Sequence, residues 1–208
     1  MRGVILTQQI KIEVSVPFAS IYYPNDSQAE FAGKIFARRA YTESVHYQTC
    51  LQLSEQVPLE ELAYFQWTIE KLKRFGADYE RFLFAGSKGC AITEITLDEV
   101  QKITDVRKRH EVLAKQTTVA FVSLFESITA NWDPNKSKTD IAFQKLPGNR
   151  FTVIEGRHRV AILMYKYKEM DNLSFLTDAK NISKGYISKT IRHYLRRWFK
   201  SVLSFKQV

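Results

Sequence analysis

Cysteine is almost missing from this chain. Its 208 residues include two, Cys50 and Cys90. That is too few for a disulfide framework, so a reducing compartment is expected. Long apolar runs are missing too. None approaches the roughly 20 residues needed to cross a bilayer. The apolar start Val4-Ile5-Leu6 stops at Thr7-Gln8-Gln9, short of a signal-peptide core. A soluble, cytoplasmic protein is the expectation. There are no internal repeats and no low-complexity tract. Acidic residues are outnumbered, with 22 Asp and Glu against 31 Lys and Arg, a net charge of +9 and a pI near 9.5. Such a balance favours anionic partners: phosphorylated small molecules, nucleic acid or a membrane surface. What the chain does have is apolar substance, 45% hydrophobic and 13% aromatic. That composition supports a core and argues against wholesale disorder.

Element signals are plain in places. Ile10, Ile12, Val14 and Val16 alternate with Lys11, Glu13 and Ser15, a strand pattern ending at Pro17. Tyr22 to Ser27 reads as a turn, and Ser27 to about Leu53 as helix in one or two pieces. Pro58 fits a helix start, with Glu60 and Glu61 in its first turn. Leu59, Leu62, Phe65, Ile69 and Leu72 form an apolar face, and Gly76 fits the stop. Gly86-Ser87-Lys88-Gly89 lacks the spacing of a phosphate loop and reads as a plain turn. A helix opens at Thr96-Leu97-Asp98-Glu99, and its polar continuation to Gln116 is expected to face solvent. Thr117 to Ala130 is apolar at helical spacing, and Trp132-Asp133-Pro134-Asn135 ends it. Ile141 to Phe143, Pro147-Gly148-Asn149 and Phe151 to Ile154 predict a β-hairpin. A helix follows from Val160 to about Met170.

The chemistry concentrates at Glu155-Gly156-Arg157-His158-Arg159, where a strand turns into a helix. The first amides of a helix lack internal partners, and the helix dipole adds positive potential there. Gly156 permits an unusual dihedral or a close backbone approach. Arg157 and Arg159 can bind phosphate oxygens bidentately. His158 can donate to phosphate or carry a proton. Glu155 can bind Mg²⁺, accept a hydroxyl proton or orient an arginine. The plain alternative is a structural turn with exposed arginines. Elsewhere His46 and Cys50, at i and i+4, have the spacing of one edge of a metal site. The plain alternative there is a surface histidine and a core cysteine. His110 and Cys90 could join them only through folding. At the C-terminus Ile187, Ile191, Leu195, Trp198 and Val202 make an apolar stripe. Lys189, Arg192, Arg196, Arg197 and Lys200 lie largely off it. Such a helix can dock on its own domain, lie on anionic lipid or follow a phosphate backbone. Residues 171–208 carry +6 of the total +9 charge.

"VIEGRHRVAIL" resembles the Gly-x-His-Arg box of the ParB/sulfiredoxin superfamily, with Ala161 at the expected small position. "SLFESITANWDPNK" resembles the helix that precedes the box, matching at Leu124, Ser127, Ile128 and Pro134. The usual glycine of that segment is replaced around Asn131-Trp132. "DIAFQKLPGNRFTVIEG" is similar to the family's strand–turn–strand. The resemblance covers about residues 121–170, a quarter of the chain. It implies a phosphate or nucleotide site at Gly156, His158 and Arg159, with Arg157 at the variable position. Sulfiredoxins carry cysteine where Arg157 stands, so their activity is not expected here. Partition proteins add a DNA-binding and a dimer domain that the residues after Asp171-Asn172-Leu173-Ser174-Phe175 are too few to supply. The box is most similar to that of free-serine kinases, and the chain also looks like stand-alone members encoded among surface-polysaccharide genes.

The resulting expectation is an α+β fold in three parts. Residues 1–116 form a mostly helical portion, 117–178 a ParB/sulfiredoxin-like core with a small mixed sheet, and 179–208 a basic C-terminal helix. The resemblance implies binding of a nucleotide (ATP, ADP or CTP) with Mg²⁺ and an unidentified small-molecule acceptor. Catalytic candidates are Glu155, His158 and Glu126, and phosphate-binding candidates are Gly156, Arg157, His158 and Arg159. The functional expectation is a phosphate- or nucleotide-binding protein of ParB/sulfiredoxin type, whose enzymatic form would be a small-molecule kinase or phosphotransferase of surface-polysaccharide metabolism. The alternative is a non-catalytic nucleotide switch or a nucleic-acid-binding ParB-like protein. The C-terminal helix would dock on its own domain or meet a membrane surface or nucleic acid.

Overall fold

The computed structural model describes residues 11–23, 39–85, 94–133, 141–146, 148, 150–170, 172–178 and 182–184. The fold is mixed α+β, with two small sheets and a larger helical part. β1 (Lys11–Pro17) pairs antiparallel with β6 (Asn172–Asp178), placing buried Val16 opposite buried Leu173. The second sheet has β2 (Ile21–Tyr23), β3 (Arg39–Ala40), β4 (Ala142–Leu146), β5 (Arg150–Glu155) and β7 (Ile182–Lys184). Its order is β3-β2-β5-β4-β7. β2 runs parallel to β5 and β7 parallel to β4, while the other pairs are antiparallel. The expected hairpin is β4–β5, and Gly148 in its turn has φ 75°, a backbone region that suits glycine.

The helices are α1 (Val45–Ser54), α2 (Ala63–Phe75), α3 (Ala77–Ala85), α4 (Leu97–Gln101), α5 (Val106–Asn131) and α6 (Arg157–Lys166). Ser44 caps α1 by accepting from the Tyr47 amide. The helix expected from Ser27 is therefore shorter in its described part, because residues 39–43 form β3 and a 3₁₀ turn (Tyr41–Glu43). α2 starts at Ala63, after a 3₁₀ turn (Leu59–Glu61), and ends at Gly76 as expected. Thr96 and Glu99 form a reciprocal capping box at α4.

The stretch to Gln116 departs from expectation. α4 is short, and α5 is one 26-residue helix that runs through residue 116. His110, Leu113, Ala114, Thr117, Thr118, Phe121 and Ile128 form its buried stripe. The residues around 106–116 look solvent-facing because charged residues surround that stripe and its members include histidine, alanine and threonine. The buried hydroxyls of Thr117 and Thr118 donate back to the carbonyls of Leu113 and Ala114, both at 2.7 Å, which removes the penalty of burying them. α6 begins three residues earlier than Val160. Its residues 160–164 are all buried, as in a helix covered on every side. It packs against α1, α5 and β5. The segment read as a C-terminal helix from residue 179 holds β7 at its start. Ile187 to Val202, and the loop at Gly86–Gly89, lie outside the described residues. No described helix is long and apolar enough to cross a membrane.

Candidate functional site

β5 delivers the chain to Gly156, which caps α6 in the left-handed conformation at φ 77° and ψ 28°. A side chain at that position would pay a steric penalty of ~1–2 kcal/mol. The Gly156 carbonyl accepts from the Val160 amide at 2.9 Å, closing the first turn of the helix. Arg157, His158 and Arg159 follow as its first three residues, each partly buried. The strand–turn–helix junction read from the sequence is therefore formed, with glycine at the position that needs it.

Two tyrosines from the N-terminal part hold this turn. Tyr41, fully buried, donates its hydroxyl to the Arg157 carbonyl at 2.5 Å. Tyr64, 3% exposed, places its hydroxyl 2.9 Å from His158 Nε2. Tyr64 is itself fixed from behind. The cap residue of α2 is Leu62, which has no side-chain oxygen to offer the first amides. α1 supplies the acceptors instead. Gln52 Oε1 takes the Ala63 amide at 2.7 Å, and Thr49 Oγ1 takes the Tyr64 amide at 2.9 Å.

His158 sits in an aromatic box. Its ring centroid lies 4.7 Å from that of His46, 5.4 Å from Tyr64 and 5.4 Å from Phe121. Burial pushes the His158 imidazole down to about 4, and the neighbouring charges of Arg157 and Arg159 add to the effect. His46 is held well below the ordinary histidine range by burial first, then by His158 and Arg157. Both rings are thus neutral near pH 7. The two guanidiniums and the helix dipole leave the turn electropositive.

The other candidates lie apart. Glu155 closes β5 opposite Ala142; its side chain lies outside the described residues. Glu126 is exposed on α5. The bland reading of His46 as a surface residue is corrected: it is 3% exposed, because α1 turns it with Thr49 and Cys50 into the core. Cys50 is fully buried and its thiol is pushed up by burial, which makes it an inert core residue. His110 faces Glu80, Nε2 to Oε1 3.6 Å, beside the Arg109–Glu80 ion pair at 2.8 Å. Cys90 lies outside the described residues. Among the described residues no three His, Cys, Asp or Glu side chains gather as a metal site.

Sequence reasoning missed Tyr41, Tyr64 and His46 as neighbours of the turn. Tyr64 shares an i, i+4, i+8 stripe with Thr68 and Leu72, all buried, and that stripe was the available signal. No protein-family model, curated protein or solved structure matches this chain.

Proposed function

We propose that the Gly156 turn binds a phosphate group, carried by a nucleotide or another phosphorylated small molecule. The observation that carries this reading is the left-handed Gly156 at the head of α6, with Arg157 and Arg159 in the first turn of that helix. Helix amides, a bidentate cation and a glycine cap form a donor set suited to phosphate oxygens. The resemblance of this box to the ParB/sulfiredoxin superfamily supports the same ligand class. A nucleotide fits the donor set. Mg²⁺ would arrive with its phosphates, coordinating their oxygens and offsetting their charge.

For a phosphotransferase, Arg157 and Arg159 would neutralise charge developing on the transferred group. Glu155 is then the carboxylate candidate nearest in sequence to the turn, and Glu126 the second. An acceptor from surface-polysaccharide metabolism corresponds to the stand-alone relatives the box resembles. The second reading is a binder without turnover, a nucleotide switch. It is favoured by the engagement of His158 Nε2 with Tyr64, which occupies one of the two nitrogens a proton-transferring histidine would use.

The test is a thermal-shift series with CTP, ATP, ADP and GTP, with and without Mg²⁺, on wild type and Arg159→Ala. A ligand that binds the native state raises Tm by mass action, by about 2.7 kcal/mol of stability at a hundred times Kd. A nucleotide-specific rise that Arg159→Ala abolishes is the expected result. No rise at millimolar nucleotide refutes the reading. Product formation with that nucleotide then separates transfer from switching.

A further inference from the structure

His158 has one ring nitrogen committed inward, since Tyr64 Oη lies 2.9 Å from Nε2. A phenol hydroxyl is a stronger donor than a neutral imidazole N–H, and the imidazole nitrogen is the stronger acceptor. The hydroxyl therefore donates, Nε2 accepts, and the ring proton sits on Nδ1. The residue is only partly buried. With Nε2 engaged, Nδ1 is the nitrogen that remains for solvent or a ligand.

We infer that Tyr64 is a positioning residue of the anion site: its hydroxyl selects the tautomer of His158 that presents Nδ1–H to a phosphate oxygen. The inference rests on the phosphate reading above. It adds a neutral third donor beside the helix amides and the arginines. Tyr64 is suited to the task because it cannot swing away. Its ring lies 5.0 Å from Phe121 and 5.6 Å from Trp67, stacked on both, and its amide is tied to Thr49. Among the described residues, the groups that face His158 are His46 from α1, Tyr64 from α2 and Phe121 from α5, with Arg157 and Arg159 on its own helix. None of these is a carboxylate. The ring has cationic neighbours and a hydroxyl, a setting that favours the neutral donor over imidazolium.

The experiment uses the full chain, ¹⁵N-labelled, and inorganic pyrophosphate as probe. Long-range ¹H–¹⁵N spectra report which ring nitrogen of His158 carries the proton. Calorimetry reports affinity for wild type, Tyr64→Phe, His158→Asn and the double variant. Tyr64→Phe keeps the ring in its stack, and circular dichroism with a melting curve verifies that it is folded. The asparagine amide places an N–H donor near the Nδ1 position and has no tautomer to select.

In wild type, His158 is expected as the Nδ1–H form. Tyr64→Phe should move the ring toward Nε2–H and weaken pyrophosphate about ten-fold, the order expected for one lost hydrogen bond to a charged group. In the His158→Asn background the same tyrosine change should alter affinity less than two-fold. An Nε2–H ring in wild type overturns the inference, as does unchanged affinity in Tyr64→Phe, or an equal loss in both backgrounds. If wild type binds no pyrophosphate while the ring is the Nδ1–H form, the phosphate reading itself has failed.

Discussion

Acid should destabilise this protein through His158, and the size of the effect follows from its surroundings. The unfolded chain releases the imidazole proton at about 6.5, whereas the folded chain holds the group at about 4. Above pH 6.5 both states carry a neutral ring, and His158 places no pH dependence on folding. Between those values the unfolded state binds a proton that the folded state refuses. Stability therefore rises with pH across this window and is lost as pH falls through it. One proton changes stability by about 1.4 kcal/mol per pH unit. Over the whole window that comes to about 3.5 kcal/mol, and the partial exposure of His158 reduces it to about 2. Against a typical total of roughly 5–15 kcal/mol, such a loss is easily measured.

The assay is urea unfolding at closely spaced pH values from 7.5 to 4.5, for wild type and His158→Gln. Glutamine does not titrate, and its amide can reach the Tyr64 hydroxyl from roughly where Nε2 stands. Groups remote from the turn are common to both proteins and cancel in the difference, and His46, whose main cause is burial, keeps that burial in both. The two curves should run together above pH 7 in slope, if not in height. Below pH 6.5 the wild-type curve should fall more steeply, by about 1 kcal/mol per pH unit at its steepest. Parallel curves through the window would show that His158 accepts its proton normally in the folded state. That result would refute the burial of the ring among His46, Tyr64 and Phe121.

Three further substitutions test the frame around the site. Gly156→Ala forces a Cβ into the left-handed region at φ 77° and should cost about 1–2 kcal/mol, read as a lower urea midpoint with an unchanged m-value. Glu80→Gln breaks a carboxylate contact that joins α3 to Arg109 at 2.8 Å with Glu80 almost fully buried. A loss of about 2–3 kcal/mol is expected, below the usual figure for a buried pair because the Arg109 side chain is 21% exposed and also donates to the Ile103 carbonyl. Asp105→Ala removes the cap that accepts the Lys108 amide at the start of α5. It should lower stability by about 1 kcal/mol, with faster hydrogen exchange confined to the first turn of that helix.

How much of this was legible beforehand depended on whether the controlling interaction was local. The alternation of Val14 and Val16 specifies β1, the turn at Gly148 specifies the β4–β5 hairpin, and the glycine before Arg157 marks the head of α6. In each case neighbours in sequence decide the conformation. The same reasoning misjudged the stretch to Gln116, where the buried face of α5 is built from His110, Ala114 and Thr117 as well as leucine. A stripe of small and semi-polar residues carries a weak hydrophobic signal, and threonine becomes core-compatible only through its bond to a carbonyl four residues back. β6 carries alternating Leu173 and Phe175, yet its partner β1 lies at the other end of the described chain, so no local signal announces the pair.

The turn itself shows the same division. Its cationic half, Arg157 to Arg159, is contiguous and readable. Its aromatic half reaches His158 from 94 residues away through Tyr64, and the Arg157 carbonyl from 116 residues away through Tyr41. No periodicity connects such positions, because only the tertiary fold brings the 3₁₀ turn at Tyr41 and the start of α2 at Tyr64 to the head of α6. This matters for chemistry as well as for prediction. Read alone, Gly156-Arg157-His158-Arg159 offers a histidine that can donate to phosphate or carry a proton. In the folded chain the aromatic half covers one side of that ring and engages its Nε2, and the adjacent arginines disfavour its charged form. The N-terminal part thus decides what the motif can do: it turns a candidate acid into a neutral, oriented hydrogen-bond donor.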